Sequence, residues 1–414
     1  MVISLFYIFQ STIQLTGKAQ VPSEVEITSY YTKGMMLEGY SYYVIPNLLY
    51  AGYILLRVLH RDVRWSQGTL LNFVTLCLVI MTIQSLDLGF TGLICVLVGI
   101  YIHGTCLEYP HLPVHNKAIL VTGCDRGIGH ELARKLDSMG FKVFAGCLFM
   151  EEEGERELRK SCSSQLTTLK LDVSDSTQVQ EAAVQVSKEL GDKKLWGIVN
   201  NAGICYIGHI ETMTDDDIQK VLAVNFLGPI NVCRAFLPLL RRGKGRLVNV
   251  ASNAGLAPVP LMGIYCASKS ALATMTEVWR YELKAWGIKV STIVPSGYKT
   301  GILNYDRKAT AERWWRSASD VVKQDYGREC FLPKFKQKNH ESYQSADLSP
   351  IVNTMVEALT SKYPRSLYHK GFLARTLPFL YLHLPTCLGD LVMKLIADWF
   401  EFQPQALQRR SQRA

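Results

Sequence analysis

The stretch AILVTGCDRGIG, residues 118–129, decides the fold. Its first four residues are apolar and have the length and composition of a buried strand. They run directly into a turn that contains Gly123, Gly127 and Gly129, and a helical pattern follows. Glycines in such a turn let a pyrophosphate approach the amides at a helix N-terminus. The stretch therefore predicts the first strand, turn and helix of a nucleotide-binding βαβ unit.

Short apolar runs alternate with helix-length amphipathic segments from residue 117 onward, a pattern typical of a parallel sheet with crossover helices. We expect an α/β fold, a Rossmann-like doubly wound parallel sheet, over residues 111–365. The predicted strands lie at residues 118–121, 141–145, 166–171, 195–199, 246–250 and 288–294.

Composition excludes several classes of protein. The 414 residues are 48% hydrophobic and 20% charged, enough for one large core with further segments. The net charge of +9 comes without a basic run interleaved with aromatics, so we expect no nucleic-acid partner. Eleven cysteines lack CxxC pairs or His-rich spacing, so we expect neither a disulfide framework nor a metal site.

Residues 1–110 are predicted to anchor the chain in a membrane by transmembrane helices. Two stretches, 69–86 and 88–105, are nearly free of charge and long enough to span a bilayer. A shorter candidate at 41–56 is broken by Pro46. Arg57, Arg61 and Arg64, between the candidate at 41–56 and the stretch at 69–86, favour a cytosolic catalytic domain. The alternative for the two long stretches is a buried helix pair in a soluble domain.

The C-terminal part is predicted to contact a membrane a second time. After Gly297 the pattern loosens into what we expect to be an irregular, aromatic-rich flap. Residues 366–414 then form an apolar segment, interrupted by Pro378 and Pro385, and a basic tail. The segment is expected to lie on the bilayer. Packing on the catalytic core is the alternative, and the tail suits either anionic lipid or solvent.

Ser252, Tyr265 and Lys269 form the constellation that carries chemistry. Tyr265 and Lys269 are four residues apart, so on a helix they share a face, and we expect the lysine charge to lower the tyrosine pKa from about 10. Such a phenol can take a proton from an alcohol while a hydride leaves the same carbon, with the serine holding the alcohol oxygen. Alone, a Tyr-x3-Lys spacing also fits an ordinary amphipathic helix.

Taken in order, the glycine turn, Asn201-Ala202-Gly203, Ser252 and the Tyr-x3-Lys pair resemble the short-chain dehydrogenase/reductase family over roughly residues 117–300. The resemblance implies a catalytic tetrad of Asn225, Ser252, Tyr265 and Lys269, of which Ser252 and Tyr265 also bind substrate. It further implies cofactor contacts from Thr122, Gly123, Asp125, Arg126, Gly127, Ile128, Gly129, Asp172, Asn201, Ala202, Gly203, Tyr265, Lys269 and Thr300.

Within that family the chain is most similar to the membrane-bound steroid and retinoid branch, and to its 17β- and 11β-hydroxysteroid dehydrogenase type two groups. The stretches LWGIVNN (195–201), GRLVNV (245–250), WGIKV (286–290) and DLSP (347–350) carry this similarity. It implies oxidation of a steroid alcohol, foremost a 17β-hydroxyl, in the endoplasmic reticulum membrane, and it allows a homodimer. The alternatives are an 11β-hydroxysteroid or retinol dehydrogenase or, in another class, a non-catalytic cofactor-binding scaffold.

The cofactor implied is NAD, with NADP as the alternative. Arg126 could pair with the 2'-phosphate of NADP. Asp125 and the acidic run 151–153 disfavour an extra phosphate, which favours NAD. Arg126 is one departure from the family pattern, and a second follows the sixth predicted strand. There this chain has Pro295-Ser296-Gly297 where the family usually has Pro-Gly.

Overall fold

The computed structural model describes residues 111–331 and 344–397, with short pieces at 334–335, 400–401 and 404–407. These residues belong to the compact unit Tyr109–Ala414. The membrane-anchoring region predicted for residues 1–110 and the basic tail predicted beyond residue 407 lie outside the described residues.

A seven-stranded parallel sheet forms the centre of this unit, in the order β3-β2-β1-β4-β5-β6-β8. The order reverses direction after β1, which is the doubly wound arrangement predicted from the sequence. The strands are β1 (Lys117–Thr122), β2 (Lys142–Cys147), β3 (Leu166–Lys170), β4 (Lys194–Asn200), β5 (Arg246–Val250), β6 (Lys289–Ser296) and β8 (Leu367–Gly371). A separate two-stranded antiparallel pair joins β7 (Lys334–Phe335) to β9 (Phe400–Glu401).

The edge strand β8 was not among the predicted strands. It pairs in parallel with β6, from Thr292 opposite Leu367 to Ser296 opposite Gly371. Its sequence LYHKG lacks an apolar run, and only Tyr368 on it is buried. Edge strands need less apolar sequence because one flank is unpaired. The sheet therefore extends beyond residue 365, where the sequence pattern ended the catalytic domain.

Helices cover both faces of the sheet. Residues alternate along β1, with Ala118 and Leu120 in one core cluster and Ile119 and Val121 in the other, as the period of two in a strand requires. The helices are α1 (Gly127–Ser138), α2 (Glu153–Ser161), α3 (Ser176–Glu189), α4 (Asp215–Leu222), α5 (Gly228–Gly243), α6 (Gly263–Glu282), α7 (Arg307–Ser317), α8 (Asp320–Tyr326), α9 (Ser349–Thr360), α10 (Thr376–His383) and α11 (Thr386–Ala397). The first cluster packs under α3, α5 and α6, and the second packs under α1, α2 and α9.

Between residues 301 and 331 the segment after Gly297 is helical, so the prediction of an irregular flap was wrong for this part. It consists of a 3₁₀ turn at Gly301–Leu303, α7, α8 and another turn at Arg328–Phe331. Asp306 caps α7 by accepting the Ala309 amide. The flap buries its own aromatics, which explains why its charged sequence still forms helices: Trp314 and Phe331 cluster with Met213. Below, "the flap" means residues 301–331.

The C-terminal helices α10 and α11 have two contrasting faces. Leu377 and Tyr381 pack with Val392 and Met393 against Ala257, next to the loop after β5. On the other side Leu382, Leu391 and Leu395 are each more than half exposed. The segment therefore packs on the core, which was the alternative prediction, and it also carries exposed apolar side chains.

Within the described residues one helical run, Asp215–Gly243, is long and apolar enough to cross a membrane. It comprises α4, a π-helical turn at Ala223–Leu227 and α5. Phe236 and Leu240 of this run are fully buried in the first core cluster. This run is therefore a helix of the catalytic core.

Candidate active site

The turn between β1 and α1 requires glycine at its key positions. Gly123 and Gly127 have φ angles of +71° and +66°, in the region that other residues rarely adopt. A Cβ on Gly129 would lie 2.2 Å from the Gly123 carbonyl oxygen. Arg126, the N-cap of α1, makes no side-chain hydrogen bond to the first amides. The geometry therefore fits the diphosphate of a dinucleotide, which such amides bind.

Thr122 and Asn201 join this turn to the end of β4. The Thr122 hydroxyl accepts the amides of Asn201 and Ala202, each at 3.1 Å. In return, the Asn201 side chain donates to the carbonyls of Thr122 at 3.0 Å and Gly123 at 3.1 Å. Ile128 is buried in the core beneath the turn. Four of the predicted cofactor contacts, Thr122, Gly123, Asn201 and Ala202, are thus joined by hydrogen bonds, and the side chain of Ile128 packs beneath them.

Asp125 and Arg126 point in different directions. The Asp125 carboxylate accepts the amides of Leu148, at 3.1 Å, and Phe149, at 2.9 Å, directly after β2. The exposed Arg126 side chain instead lies on Gly301: a Cβ there would be 2.5 Å from Arg126 Cδ. Asp125 is therefore the charged group at the end of β2, the region where Rossmann folds bind the adenosine ribose.

Asp172 and Thr300 follow the carboxyl ends of β3 and β6. Asp172, just after β3, accepts the Ser174 amide at 2.9 Å and its hydroxyl at 2.6 Å through Oδ1. This carboxylate stabilises the turn that leads into α3. Thr300 lies over the glycine turn, since its Cβ would be 3.4 Å from a Cβ on Gly127. The cofactor contacts of both residues stay predictions from the sequence.

Tyr265 and Lys269 lie one turn apart on α6, as their spacing predicted. Lys269 Nζ is 5.9 Å from the centre of the Tyr265 ring and donates to the Val250 carbonyl at 2.8 Å. Ser252, two residues beyond β5, lies close enough to Tyr265 that a hydrogen-bonding interaction between them lowers the pKa of the phenol. A Cβ on Gly255 would lie 2.7 Å from the backbone of Lys269. That glycine therefore lets the serine turn pack closely on the catalytic helix.

Asn225 completes the group. It lies in the π-helical turn and is fully buried, and π turns often occur at functional sites. Its amide accepts the Ile204 N–H at 2.9 Å and donates to the Ile204 carbonyl at 2.8 Å. A Cβ on Gly203 would be 3.3 Å from Asn225 Oδ1 and 3.4 Å from Lys269 Nζ. The structure thus brings together the four residues of the predicted tetrad.

Burial dominates the electrostatics of the pair on α6. Burial raises the pKa of the Tyr265 phenol well above its usual value, the nearby Cys205 adds to the rise, and the Ser252 hydrogen bond opposes it. Burial also lowers the pKa of Lys269 to about 8. Our expectation that Lys269 lowers the tyrosine pKa is therefore not met in the free protein, because the ammonium is turned toward the Val250 carbonyl. The phenol is protonated at neutral pH here.

Sequence reasoning missed the buried side chains that surround Tyr265. Buried Cys205 and Cys266 flank the tyrosine together with Ala254. Val259, Met262, Ile302 and Leu303 pack beside them. The position of Cys205, two residues after Gly203, was the available signal. Among residues 111–331 and the described C-terminal pieces, no three His, Cys, Asp or Glu side chains group as metal ligands.

Comparisons with known proteins agree with this geometry. The short chain dehydrogenase family model matches residues 117–311. Human 17-beta-hydroxysteroid dehydrogenase type 2 is 37% identical over 347 residues, covering 80% of this chain and 86% of that protein. Rat retinol dehydrogenase 7 is 38% identical over 291 residues, covering 68% and 88%. Bovine mitochondrial D-beta-hydroxybutyrate dehydrogenase is 38% identical over 266 residues, covering 62% and 77%.

A solved structure supports the fold. The short-chain dehydrogenase from Streptomyces avermitilis superposes with a TM-score of 0.52 at 22% identity, over 68% of this chain and 95% of that chain. The turn with Gly123, Gly127 and Gly129, called the glycine cradle below, the tetrad and the sequence matches lead to one conclusion. The chain belongs to the short-chain dehydrogenase/reductase family and is a nicotinamide-dependent oxidoreductase that acts on CH–OH groups.

Proposed function

We propose that the chain oxidises the 17β-hydroxyl of a steroid, such as estradiol or testosterone, to a ketone with NAD. The observation that carries the proposal is the apolar wall around Tyr265, formed by Cys205, Ala254, Cys266 and the side chains beside them. Apolar surface removed from water stabilises binding by about 25 cal/mol per Å², so a rigid apolar alcohol gains from this wall. Similarity to a 17-beta-hydroxysteroid dehydrogenase over most of the chain supports the same class.

In this proposal the residues divide the chemistry among them. The Ser252 hydroxyl donates a hydrogen bond to the alcohol oxygen and holds it beside Tyr265. Tyr265 must first lose its own proton, and the positive charge of Lys269 favours that phenolate. The phenolate oxygen then takes the hydroxyl proton of the alcohol. Asn225 fixes the Ile204 backbone at the floor of the site. NAD supplies, when bound in the glycine cradle, the acceptor for the hydride that leaves the carbinol carbon.

Three alternative substrates come from the relatives and from the family resemblance. Retinol is favoured by the similarity to a retinol dehydrogenase, and an 11β-hydroxysteroid by the branch to which the motifs are similar. D-3-Hydroxybutyrate is the substrate named for another relative. The seven wall side chains carry no charge to pair with a carboxylate, which disfavours that small acid.

The substrate test uses the full chain in microsomal membranes. Initial rates with estradiol, testosterone, cortisol, retinol and D-3-hydroxybutyrate are compared in one preparation with NAD. We expect the highest kcat/KM for estradiol or testosterone. A higher value for cortisol, retinol or the hydroxy acid would replace the 17β-hydroxysteroid assignment with that substrate class.

We propose NAD over NADP on the orientation of two side chains. Asp125 brings a carboxylate to the end of β2, and an added 2'-phosphate there would meet negative charge. Arg126, the candidate partner of that phosphate, lies on Gly301 instead.

The cofactor test measures rates with NAD and NADP for the native chain, for Arg126→Ser and for Arg134→Ser, an exposed arginine on the same helix. We expect native preference for NAD and little change in either variant. A native preference for NADP that is lost only in Arg126→Ser would overturn the proposal.

We also propose that the enzyme works at the endoplasmic reticulum membrane, with its catalytic unit in the cytosol. The apolar stretches 69–86 and 88–105 motivate the anchor. The open face of α10 and α11 supports a second contact, since Phe379, Leu382 and Leu395 are 58, 62 and 62% exposed. A lipid surface would cover these side chains. The packed face of α10 contacts Val259 through Leu377 and Tyr381. Val259 also belongs to the apolar wall around Tyr265, so α10 lies between the proposed membrane contact and that wall.

Cys387, exposed on α11, provides a probe for that contact. An environment-sensitive dye on Cys387 in phosphatidylcholine proteoliposomes should be quenched by brominated acyl chains, with Cys387→Ser as the labelling control. Absence of quenching in the full chain would refute the second contact. Insertion of glycosylation sites before and after residues 69–105 tests the orientation separately.

The non-catalytic scaffold is distinguished by a single variant. Tyr265→Phe removes the proton acceptor and leaves the glycine cradle intact, so turnover should fall by about 10²–10⁴-fold. NADH binding, measured by fluorescence titration, should remain native. Retained turnover would refute the role of Tyr265, and unchanged function in cells would favour the scaffold.

A further inference from the structure

Ser252 lies in a turn, and its hydroxyl needs an external support. It is the N-cap of the 3₁₀ turn Asn253–Gly255, and its Oγ accepts the Ala254 amide at 3.2 Å. That bond positions the oxygen and leaves the direction of the hydroxyl proton free, because a hydroxyl rotates to suit its acceptor. The proton direction matters, since the same hydroxyl must donate to the alcohol oxygen.

Asn253 offers the acceptor. Its Oδ1 is 3.5 Å from Ser252 Oγ, a long contact that the serine proton can bridge. Its Nδ2 donates to the Ser296 hydroxyl at 2.8 Å. Because an amide has its acceptor and its donor on opposite sides, the bond to Ser296 leaves Oδ1 as the atom that faces Ser252.

Ser296 is fixed by the sheet. It is the last residue of β6 and pairs with Gly371 on β8. A Cβ on Gly371 would lie 1.8 Å from the Ser296 carbonyl oxygen, so β8 approaches β6 closely here. The chain Ser296–Asn253–Ser252 therefore connects a rigid strand end to the catalytic turn.

We propose that Asn253 and Ser296 act as a positioning pair that orients the Ser252 hydroxyl for catalysis. Ser296 is the residue that departs from the usual Pro-Gly pattern, and this role gives that departure a chemical purpose. Before an alcohol enters, the Ser252 proton points to Asn253 Oδ1. When an alcohol oxygen arrives beside Tyr265, the proton turns to it while Asn253 keeps its place on Ser296. The inference rests on the dehydrogenase chemistry of the family, and any alcohol the native chain oxidises can be used to test it.

The test separates a hydroxyl effect from a shape effect. Thr and Val have nearly the same volume, and only Thr keeps the hydroxyl. Rates with estradiol or all-trans-retinol, whichever the native chain oxidises faster, are measured for Ser296→Thr and Ser296→Val. We expect Ser296→Val to lose about fivefold in kcat, the effect of one hydrogen bond, with an unchanged KM for NAD. Ser296→Thr should stay near native. Equal losses in both variants would overturn the proposal.

A double-mutant cycle tests whether the two residues act as a unit. Asn253→Ala, Ser296→Ala and the double variant are compared, and Ser296→Ala also serves where Ser296→Val folds poorly. We expect the double variant to be no slower than Asn253→Ala alone. Multiplicative losses would refute the positioning role.

Discussion

Asp217 is predicted to hold the flap onto the catalytic core. Its buried Oδ2 accepts hydrogen bonds from Arg313 Nη2 at 2.6 Å, Trp314 Nε1 at 2.7 Å and Thr214 Oγ1 at 2.9 Å. Arg313 and Trp314 lie on α7 of the flap, and Asp217 lies on α4, in the same helical run as Asn225. The replacement Asp217→Asn keeps the shape of this group and removes its charge.

The magnitude follows from the exposure of each partner. Arg313 is about half exposed, so its ion pair contributes at most about 1 kcal/mol after screening. Trp314 is 1% exposed, and its indole bond loses about 1 kcal/mol when the acceptor becomes neutral. We therefore expect Asp217→Asn to destabilise the fold by about 1–2 kcal/mol. Asp217→Ala should cost about 1–3 kcal/mol more, because it leaves a buried N–H without an acceptor.

The pH dependence has a defined sign. Burial alone would raise the Asp217 pKa, but hydrogen bonds from Arg313, Trp314 and Thr214 outweigh it, and the pKa is lowered from 3.8. A carboxylate with a depressed pKa in the fold contributes stability above its unfolded pKa. That contribution is lost as the pH falls through the folded pKa. The stability difference between native and Asp217→Asn should therefore shrink below about pH 4.

Urea unfolding and steroid kinetics provide the assay. The matched control is Asp216→Asn, which removes the same charge from an exposed neighbour on α4. We expect Asp217→Asn to unfold at lower urea and to raise the KM for the alcohol more than the KM for NAD. A variant that unfolds like Asp216→Asn and shows native KM values would refute the anchor.

Three further variants test the cradle, the flap and the catalytic lysine. Gly129→Ala should abolish NADH binding in a fluorescence titration, because the methyl group would lie 2.2 Å from the Gly123 carbonyl; Gly263→Ala, with open space around its Cβ, should bind normally. Gly208→Ala should raise the KM for the alcohol about tenfold, because the new methyl group would lie 2.4 Å from the ring of Trp314 and displace the flap. An unchanged KM in initial-rate measurements would contradict the role of the flap. The pKa of Lys269 in the folded chain, about 8, is below its ordinary value of 10.5. Between these two pH values the unfolded chain binds more protons than the folded chain, so the free energy of unfolding should rise with pH there. Lys269→Met should lose that rise in urea titrations, and an identical slope would show that Lys269 is not its source.

The glycine turn, the catalytic helix and six strands could be predicted from the sequence because each depends on residues that are close together in the chain. Gly123 and Gly127 have positive φ angles, and Gly129 has no room for a Cβ, so only glycine suits these positions and their spacing predicted the turn. The Tyr265–Lys269 spacing predicted a shared helix face, and α6 provides it. Six strands were found from apolar runs, since a strand covered on both faces must be apolar.

Other features were not readable because they depend on distant partners. Strand β8 has little apolar sequence and exists through pairing with β6. The helices of the flap depend on Asp217, 96 residues from Arg313 in the sequence. The pKa directions of Tyr265 and Lys269 depend on burial, which spacing alone does not give. The contact of Asn253 with Ser296 spans 43 residues and has no sequence period.

The late position of β8 in the chain affects how the protein is synthesised. Chains emerge from the ribosome at about 5–20 residues per second and begin to fold from the N-terminus. Until Leu367–Gly371 has emerged, β6 remains an open sheet edge, and Ser296 at its end has no neighbouring strand. Open edges attract foreign strands. A nascent chain arrested before residue 367 should therefore be inactive and dependent on chaperones, although all four tetrad residues have already been translated.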